Sequence, residues 1–329
     1  MILTVDIGNS HTVLGIHRDD KILQTWRLTT RSSCTAEEYQ VIVDQFFAAA
    51  ELNREELTGL ALSSVVPDTV QPFSRMAENF LKLEPLIIGP GVKTGMNIRM
   101  ENPKEVGADR IVIAVGAYQK FKSSAIIVDF GTATTVSAVS EEGDYLGGVI
   151  APGISISTEA LFDRAAKLPR IELDSPRQVI GKNTAEALRS GIIYGFAAQI
   201  EGLVNRFLQE MQPDRANQQK TQQQKKQDIH QEQIQQEKQI QQQRIQQPGQ
   251  HESSEQPENS KNYKEKRQLN QKNRSGKPGE TQDTPDRPLI IATGGLNHYI
   301  VPETDIFDRV EPHLSLEGLY HIARLNKIV

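Results

Sequence analysis

The sequence predicts an α/β protein of two lobes, each a mixed sheet flanked by helices, and three observations carry that prediction. Apolar β-rich runs alternate with helical periodicity over most of the 329 residues. The opening MILTVDIGNSHTVLG is echoed more than a hundred residues later by AIIVDFGTATTVSAV, so that strand, Asp, apolar residue, Gly and strand recur in the same order. Each copy opens a three-strand meander that continues into helices, the mark of an internal duplication.

In the first copy, residues 2–6, 12–17 and 21–28 run apolar or alternate between the turn signals Gly8–Asn9 and Asp19–Asp20, and read as three antiparallel strands. Residues 36–50 carry helical spacing; LTGLALSSVVP reads as a strand ending at Pro67, and Thr69–Leu83 as a second helix. Leu86–Ile88 is short and apolar and is followed by the turn-rich GPGVKTG. A helix opening at Gly107–Asp109 (GADRIVIAVGAYQKF) leads to the second copy, whose strands are 125–129, 134–139 and 145–150. Ser155–Ala166 and Thr184–Gln209 follow as helices, the latter with Asn183 placed three residues before Glu186 as in a capping box. PLIIATGG is a buried strand running into Gly294–Gly295, and Leu316–Leu325 is a final helix. The lobes are drawn at 1–115 and 116–329.

Residues 212–287 break the pattern. They contain 22 glutamines, and the apolar Ile229, Ile234, Ile240 and Ile245 recur at intervals of 5, 6 and 5, which match neither helix stripe nor strand. The stretch reads as a disordered insert within the second lobe, unable to bury enough apolar surface to offset its ordering entropy. It holds 14 Lys and Arg against 11 Asp and Glu, leaving the remainder with 23 against 31, net −8. A body that acidic has no electrostatic footprint for nucleic acid. The single cysteine, Cys34, forms no internal disulfide, which fits a reducing compartment. No apolar run reaches the length of a membrane span, and Asp6 follows at once on the first apolar run, so the expected location is cytoplasmic, without membrane or nucleic-acid partner.

The two Asp–x–Gly turns are where chemistry enters. Gly8 and Gly131 let the backbone turn tightly with its N–H groups exposed, and Asn9, Ser10 and Thr12, or Thr132, Thr134 and Thr135, add small donors. Such donors suit the oxygens of a polyphosphate, and each Asp can hold a hydrated cation beside them. Taken singly, the same string is also an ordinary hairpin turn; two copies at matching places argue for a shared ligand. IIATGGL (290–296) adds adjacent glycines after a strand, suited to a flat ring packed on backbone, or simply to a turn. There is no GxxxxGK[ST] and no GxGxxG after a strand. The seven histidines include no pair at zinc-ligand spacing with a third partner.

These features resemble the actin-like (ribonuclease H-like) ATPase superfamily of sugar kinases, acetate kinase, chaperone ATPases and actin. Within it, DIGNSHTVLG (6–15), ENPKEVGADRI (101–111), VDFGTATTV (128–136), GGVIAPGISIS (147–157), IGKNTAEALRSGI (180–192) and ATGGL (292–296) look like type III pantothenate kinase. The resemblance implies ATP-dependent 4′-phosphorylation of pantothenate, the opening step of coenzyme A synthesis. It implies that Asp6, Ile7, Gly8, Asn9, Ser10, His11, Thr12, Val13 and Thr132 bind ATP. It implies further that Asp6 positions Mg²⁺ through water, that Asp129 holds K⁺ or NH₄⁺, and that Asp109 is the general base. Gly107, Ala108, Asp109, Arg110 and Thr184 would touch pantothenate, in a homodimer with the pocket at or near the subunit interface.

Residue chemistry runs parallel to that assignment. Phosphoryl transfer is mostly positioning and charge neutralisation with one base to guide the hydroxyl. Asp109 stands at a helix start, where it is also an ordinary dipole-favoured carboxylate. Arg110 suits a carboxylate partner or a surface ion pair. The sequence departs from the family at Met100, where many relatives carry Tyr, and at His11 in the first turn. A regulatory homologue resembling the Bvg accessory factor is the competing reading, as is another kinase or a phosphatase of the superfamily. The full set Asp6, Asp109, Asp129 and Thr132 speaks for the enzyme.

Overall fold

The computed structural model describes residues 1–212 and 287–328, so the glutamine-rich segment lies, apart from its two end residues, outside the described residues. The first sheet contains β1 (Ile2–Ile7), β2 (His11–Arg18), β3 (Lys21–Thr29), β4 (Gly59–Ser64) and β5 (Leu86–Ile87), in the order β3-β2-β1-β4-β5. The second contains β6 (Ala125–Phe130), β7 (Ala133–Val139), β8 (Tyr145–Pro152), β9 (Leu289–Thr293) and β10 (Arg309–Val310), in the order β10-β9-β6-β7-β8. Read from opposite edges, the two orders are the same. In each sheet the central strand carries the Asp, pairs antiparallel with its meander on one side, and pairs parallel with a later strand on the other. The duplication seen in the sequence is therefore a duplication of topology.

Six α-helices lie among the described residues: α1 (Ala36–Ala49), α2 (Pro67–Met76), α3 (Ala108–Phe121), α4 (Ile154–Arg164), α5 (Thr184–Met211) and α6 (Leu314–Leu325). The strand expected to run to Pro67 stops at Ser64, because Pro67 is the first residue of α2, where a missing N–H costs nothing. β10, only two residues long, carries no sequence signal, and α6 begins two residues before the apolar run suggested. At α5 the Glu186 N–H donates to the Asn183 side chain at 2.9 Å, while the Glu186 carboxylate accepts from Lys182 N–H at 2.9 Å. The cap is thus a box displaced by one residue.

The apolar faces sort into three cores. Tyr39, Val43 and Phe47 of α1 and Phe73 of α2 cover one face of the first sheet. Ile192, Ala197, Ile200 and Val204 of α5, with Ile154 of α4, cover one face of the second. The remaining core joins Ile2 and Ala61 of the first sheet to Ala125, Ile127 and Ile291 of the second through α3 and α6. Those two helices meet at glycines: a Cβ on Gly318 would stand 1.8 Å from the Val112 carbonyl oxygen, and one on Gly116 would stand 2.2 Å from that of Leu314. α3 and α6 therefore touch backbone to backbone, and this contact sets where the first turn of each helix points. No helix among the described residues is long and apolar enough to cross a membrane.

Candidate active site

The two Asp–x–Gly turns each close on the glycine N–H, the second turn being one residue shorter. Gly8 N–H donates to the His11 carbonyl at 3.0 Å, and Gly131 N–H to that of Ala133 at 3.1 Å. They also face each other: the Ser10 and Thr132 hydroxyls are hydrogen-bonded at 2.8 Å. Asn9, Ser10 and His11 are exposed, whereas Ile7 and Thr12 are fully buried, and the Thr12 hydroxyl bonds that of Thr30 at 2.9 Å. Thr30 in turn donates to the Gly8 carbonyl at 2.7 Å, and its own N–H donates to Ser10, so β3 braces the turn. Of the small donors read from the sequence, Asn9, Ser10 and Thr132 present side chains; Ile7, Thr12 and Val13 can offer only backbone or wall. Thr134 and Thr135 are buried beneath the second turn.

Asp6 and Asp129 end the two central strands. Burial pushes the Asp6 carboxyl up to about 6; the Ser315 hydroxyl at the start of α6 pulls it back, and the charge of Asp109 raises it further. Ser63, in register with Asp6 on β4, pulls it back as Ser315 does, to a smaller extent. Burial, then the charges of Asp109 and Asp6, push Asp129 up to about 7. Gly294, at φ +86°, closes over Asp129: a Cβ there would stand 2.3 Å from Oδ1 and 2.6 Å from Phe130 N. Only glycine satisfies both the angle and the space. Asp109, in the first turn of α3, thus stands close enough for its charge to reach both buried carboxylates, on β1 and on β6.

Asp109 is the second residue of α3, and its Oδ1 accepts the Arg110 N–H at 2.8 Å. Gly107 caps the helix, and a Cβ there would lie 2.4 Å from that same Oδ1, so the turn must be glycine for the carboxylate to lie back over it. Arg110 is enclosed. Its guanidinium lies 5.6 Å from the centre of the Tyr145 ring, its Nε and Nη2 are buried without a hydrogen-bond partner, and Nη2 fills the space a side chain on Gly148 would take. A buried guanidinium with unmatched N–H groups calls for an anion. Met100 packs in the central core, its sulfur 3.1 Å from where Gly147 would carry a Cβ. Thr184, the first residue of α5, is exposed, and no hydrogen bond joins it to the 107–110 turn among the described residues.

No three His, Cys, Asp or Glu side chains among the described residues are grouped to hold a metal ion directly. Yet Asp6 and Asp129 are burdened by burial and by the charge of Asp109, the condition that a cation relieves. The residues fit cations held by one carboxylate each with water or ligand oxygens completing the shell. Beside them, a cavity of about 350 Å³ runs between Gly294–Gly295 and the β2–β3 hairpin.

A family model described as type III pantothenate kinase matches residues 2–206. The chain belongs to that family. A type III pantothenate kinase of Bacillus cytotoxicus is 38% identical over 329 residues, spanning 100% of this chain and 98% of the relative. Among solved structures, a protein of Sinorhizobium meliloti described as a 2-dehydro-3-deoxygalactonokinase matches with a TM-score of 0.50 at 10% identity, covering 99% of each chain. One of Campylobacter jejuni described as a Baf family transcriptional activator matches with a TM-score of 0.49 at 15% identity, covering 99% of this chain and 100% of that one. The duplicated actin-like fold expected from the sequence is the one observed. Sequence reading missed Ser315, whose approach to Asp6 spans the whole chain and leaves no local trace.

Proposed function

We propose that the chain transfers the γ-phosphoryl group of ATP to the 4′-hydroxyl of pantothenate, with the nucleotide lying between the 1–115 and 116–329 lobes. The convergence of Asp6, Asp109 and Asp129 on one cleft carries the reading. The turns at Gly8 and Gly131 supply backbone N–H groups, and Asn9, Ser10 and Thr132 supply side-chain donors, to the phosphate oxygens. Asp109 accepts the proton of the attacking hydroxyl from a fixed position at the start of α3, which orients the nucleophile. Arg110 pairs the pantothenate carboxylate with its unmatched N–H groups, an arrangement its enclosure against Tyr145 supports. Asp6 would hold Mg²⁺ through water and Asp129 a K⁺ or NH₄⁺ ion; when bound, these neutralise charge developing on the phosphates.

A homodimer accords with the exposed apolar side chains of the second lobe. Ile150 on β8, Ile156 and Leu161 on α4, and Val179 and Ile180 before α5 all stand open to solvent. Thr184 lies next to that surface, and we assign it to the substrate pocket of a neighbouring subunit. The enzyme is assigned to the cytoplasm.

An ADP-release assay with pantothenate, with and without K⁺ or NH₄⁺, tests the reading. Wild-type turnover should require pantothenate, and Asp109→Asn should lower kcat by roughly 10²- to 10⁴-fold. Turnover independent of pantothenate, or an unimpaired Asp109→Asn enzyme, would refute it.

A further inference from the structure

We infer that Arg27 is a nucleotide-binding residue, its guanidinium reaching from β3 across the cleft to the phosphates of the bound nucleotide. The inference rests on the reading of the Gly8 and Gly294–Gly295 turns as the ATP site. It begins from a question about Gly295. Gly294 is glycine because its φ is +86° and Asp129 lies beneath it; Gly295 has no such backbone demand. What a side chain at 295 would meet is Arg27, whose Nη1 stands 2.4 Å from the place a Cβ would take, with Nη2 at 3.0 Å, so that even a methyl would turn the guanidinium aside. The second glycine of the pair therefore makes room for a cation from the other sheet.

The placement of Arg27 is built from the strand upward. Arg27 pairs in register with Val13, the last residue of the first phosphate-binding string, so β3 brings the guanidinium alongside that turn. The strand is held there by Trp26, which stacks on Phe46 at 5.2 Å between ring centres with the planes 3° apart. Val13, Arg27, Gly294 and Gly295 line one cavity, in which Arg27 is the only lysine or arginine among the described residues. Among the described residues it forms no ion pair and donates no hydrogen bond, unlike Arg18, Arg54 and Arg99, each of which is engaged by a carboxylate. Asp129 lies directly beneath Gly294, and the charges of Asp6 and Asp109 reach it, so a polyphosphate entering beside them meets net negative charge unless a cation faces it from another side. An arginine supplies that charge permanently and in the fork geometry that suits phosphate oxygens.

A packing role and a phosphate role differ in what they discriminate. Calorimetric titration of the full-length chain with ADP, ATP and adenosine separates them. Arg27→Ala should weaken ADP and ATP by roughly 10- to 100-fold, as loss of a charge-assisted hydrogen bond implies, while leaving adenosine within about twofold. The salt dependence of ADP affinity should shrink with it, and Arg27→Lys should recover part of the loss. Gly295→Ala, which keeps the charge but displaces it, should also weaken ADP more than adenosine and serves if Arg27→Ala fails to fold. Unchanged ADP affinity in Arg27→Ala, or equal losses for ADP and adenosine, would overturn the inference. Absence of ADP binding by the wild type would overturn the ATP-site reading on which it stands.

Discussion

Asp129 is an aspartate whose folded environment opposes its charge. Its carboxyl is pushed to about 7, so between about pH 4 and 7 the folded chain keeps a proton that the unfolded chain has released. Free of cations, Asp129 thus costs more stability as pH rises through that window. His17 acts in the opposite sense: burial beside Tyr320 holds its imidazole down to about 4, so the unfolded chain gains a proton that the folded chain refuses as pH falls below about 6.5. Replacing Asp129 removes only the first effect. Asp129→Asn should stabilise the cation-free chain at pH 7 by on the order of 2 kcal/mol, with little change near pH 4, and should lose its response to K⁺. Thermal unfolding at both pH values checks this; an equal change at the two would refute it.

At the scale of elements, the contact between α3 and α6 links the site to the core. α3 carries Asp109, and α6 carries the Ser315 that supports Asp6. Because Gly116 and Gly318 let the two backbones touch, adding one methyl forces the helices apart rather than a side chain aside. Gly318→Ala should destabilise the protein by roughly 2–4 kcal/mol and lower kcat more than it raises KM for ATP; denaturant unfolding and steady-state kinetics measure both. The strands were legible because their signals are local: alternation between Gly8–Asn9 and Asp19–Asp20 gives β1 to β3 within two residues. The Gly294–Gly295 turn was visible too and read as suited to a flat ring; its contact with Arg27 was not visible. Gly295 answers to Arg27 and Asp6 to Ser315, pairs separated by most of the chain, and no periodicity encodes a partner at that distance.

For the whole molecule, the exposed apolar residues of the second lobe are the feature a monomer leaves unexplained. Ile150 is 66% exposed and Ile180 73%. Isolated apolar residues at a surface are ordinary, but a group of them beside the segment that begins α5 suits burial against a second copy. Ile150→Asp should shift the light-scattering mass from dimer toward monomer and lower kcat/KM for pantothenate more than for ATP. A monomeric wild type would remove the basis for this.

The hydroxyl pair Ser10–Thr132 has a thermodynamic consequence. The two repeats already share one hydrogen bond at 2.8 Å, one hydroxyl donating and the other accepting. A nucleotide phosphate that takes both hydroxyls replaces a hydrogen bond within the protein as well as bonds to water. The heat released on binding will then be smaller than a count of protein–phosphate contacts suggests, and affinity will owe more to charge and to the release of ordered solvent.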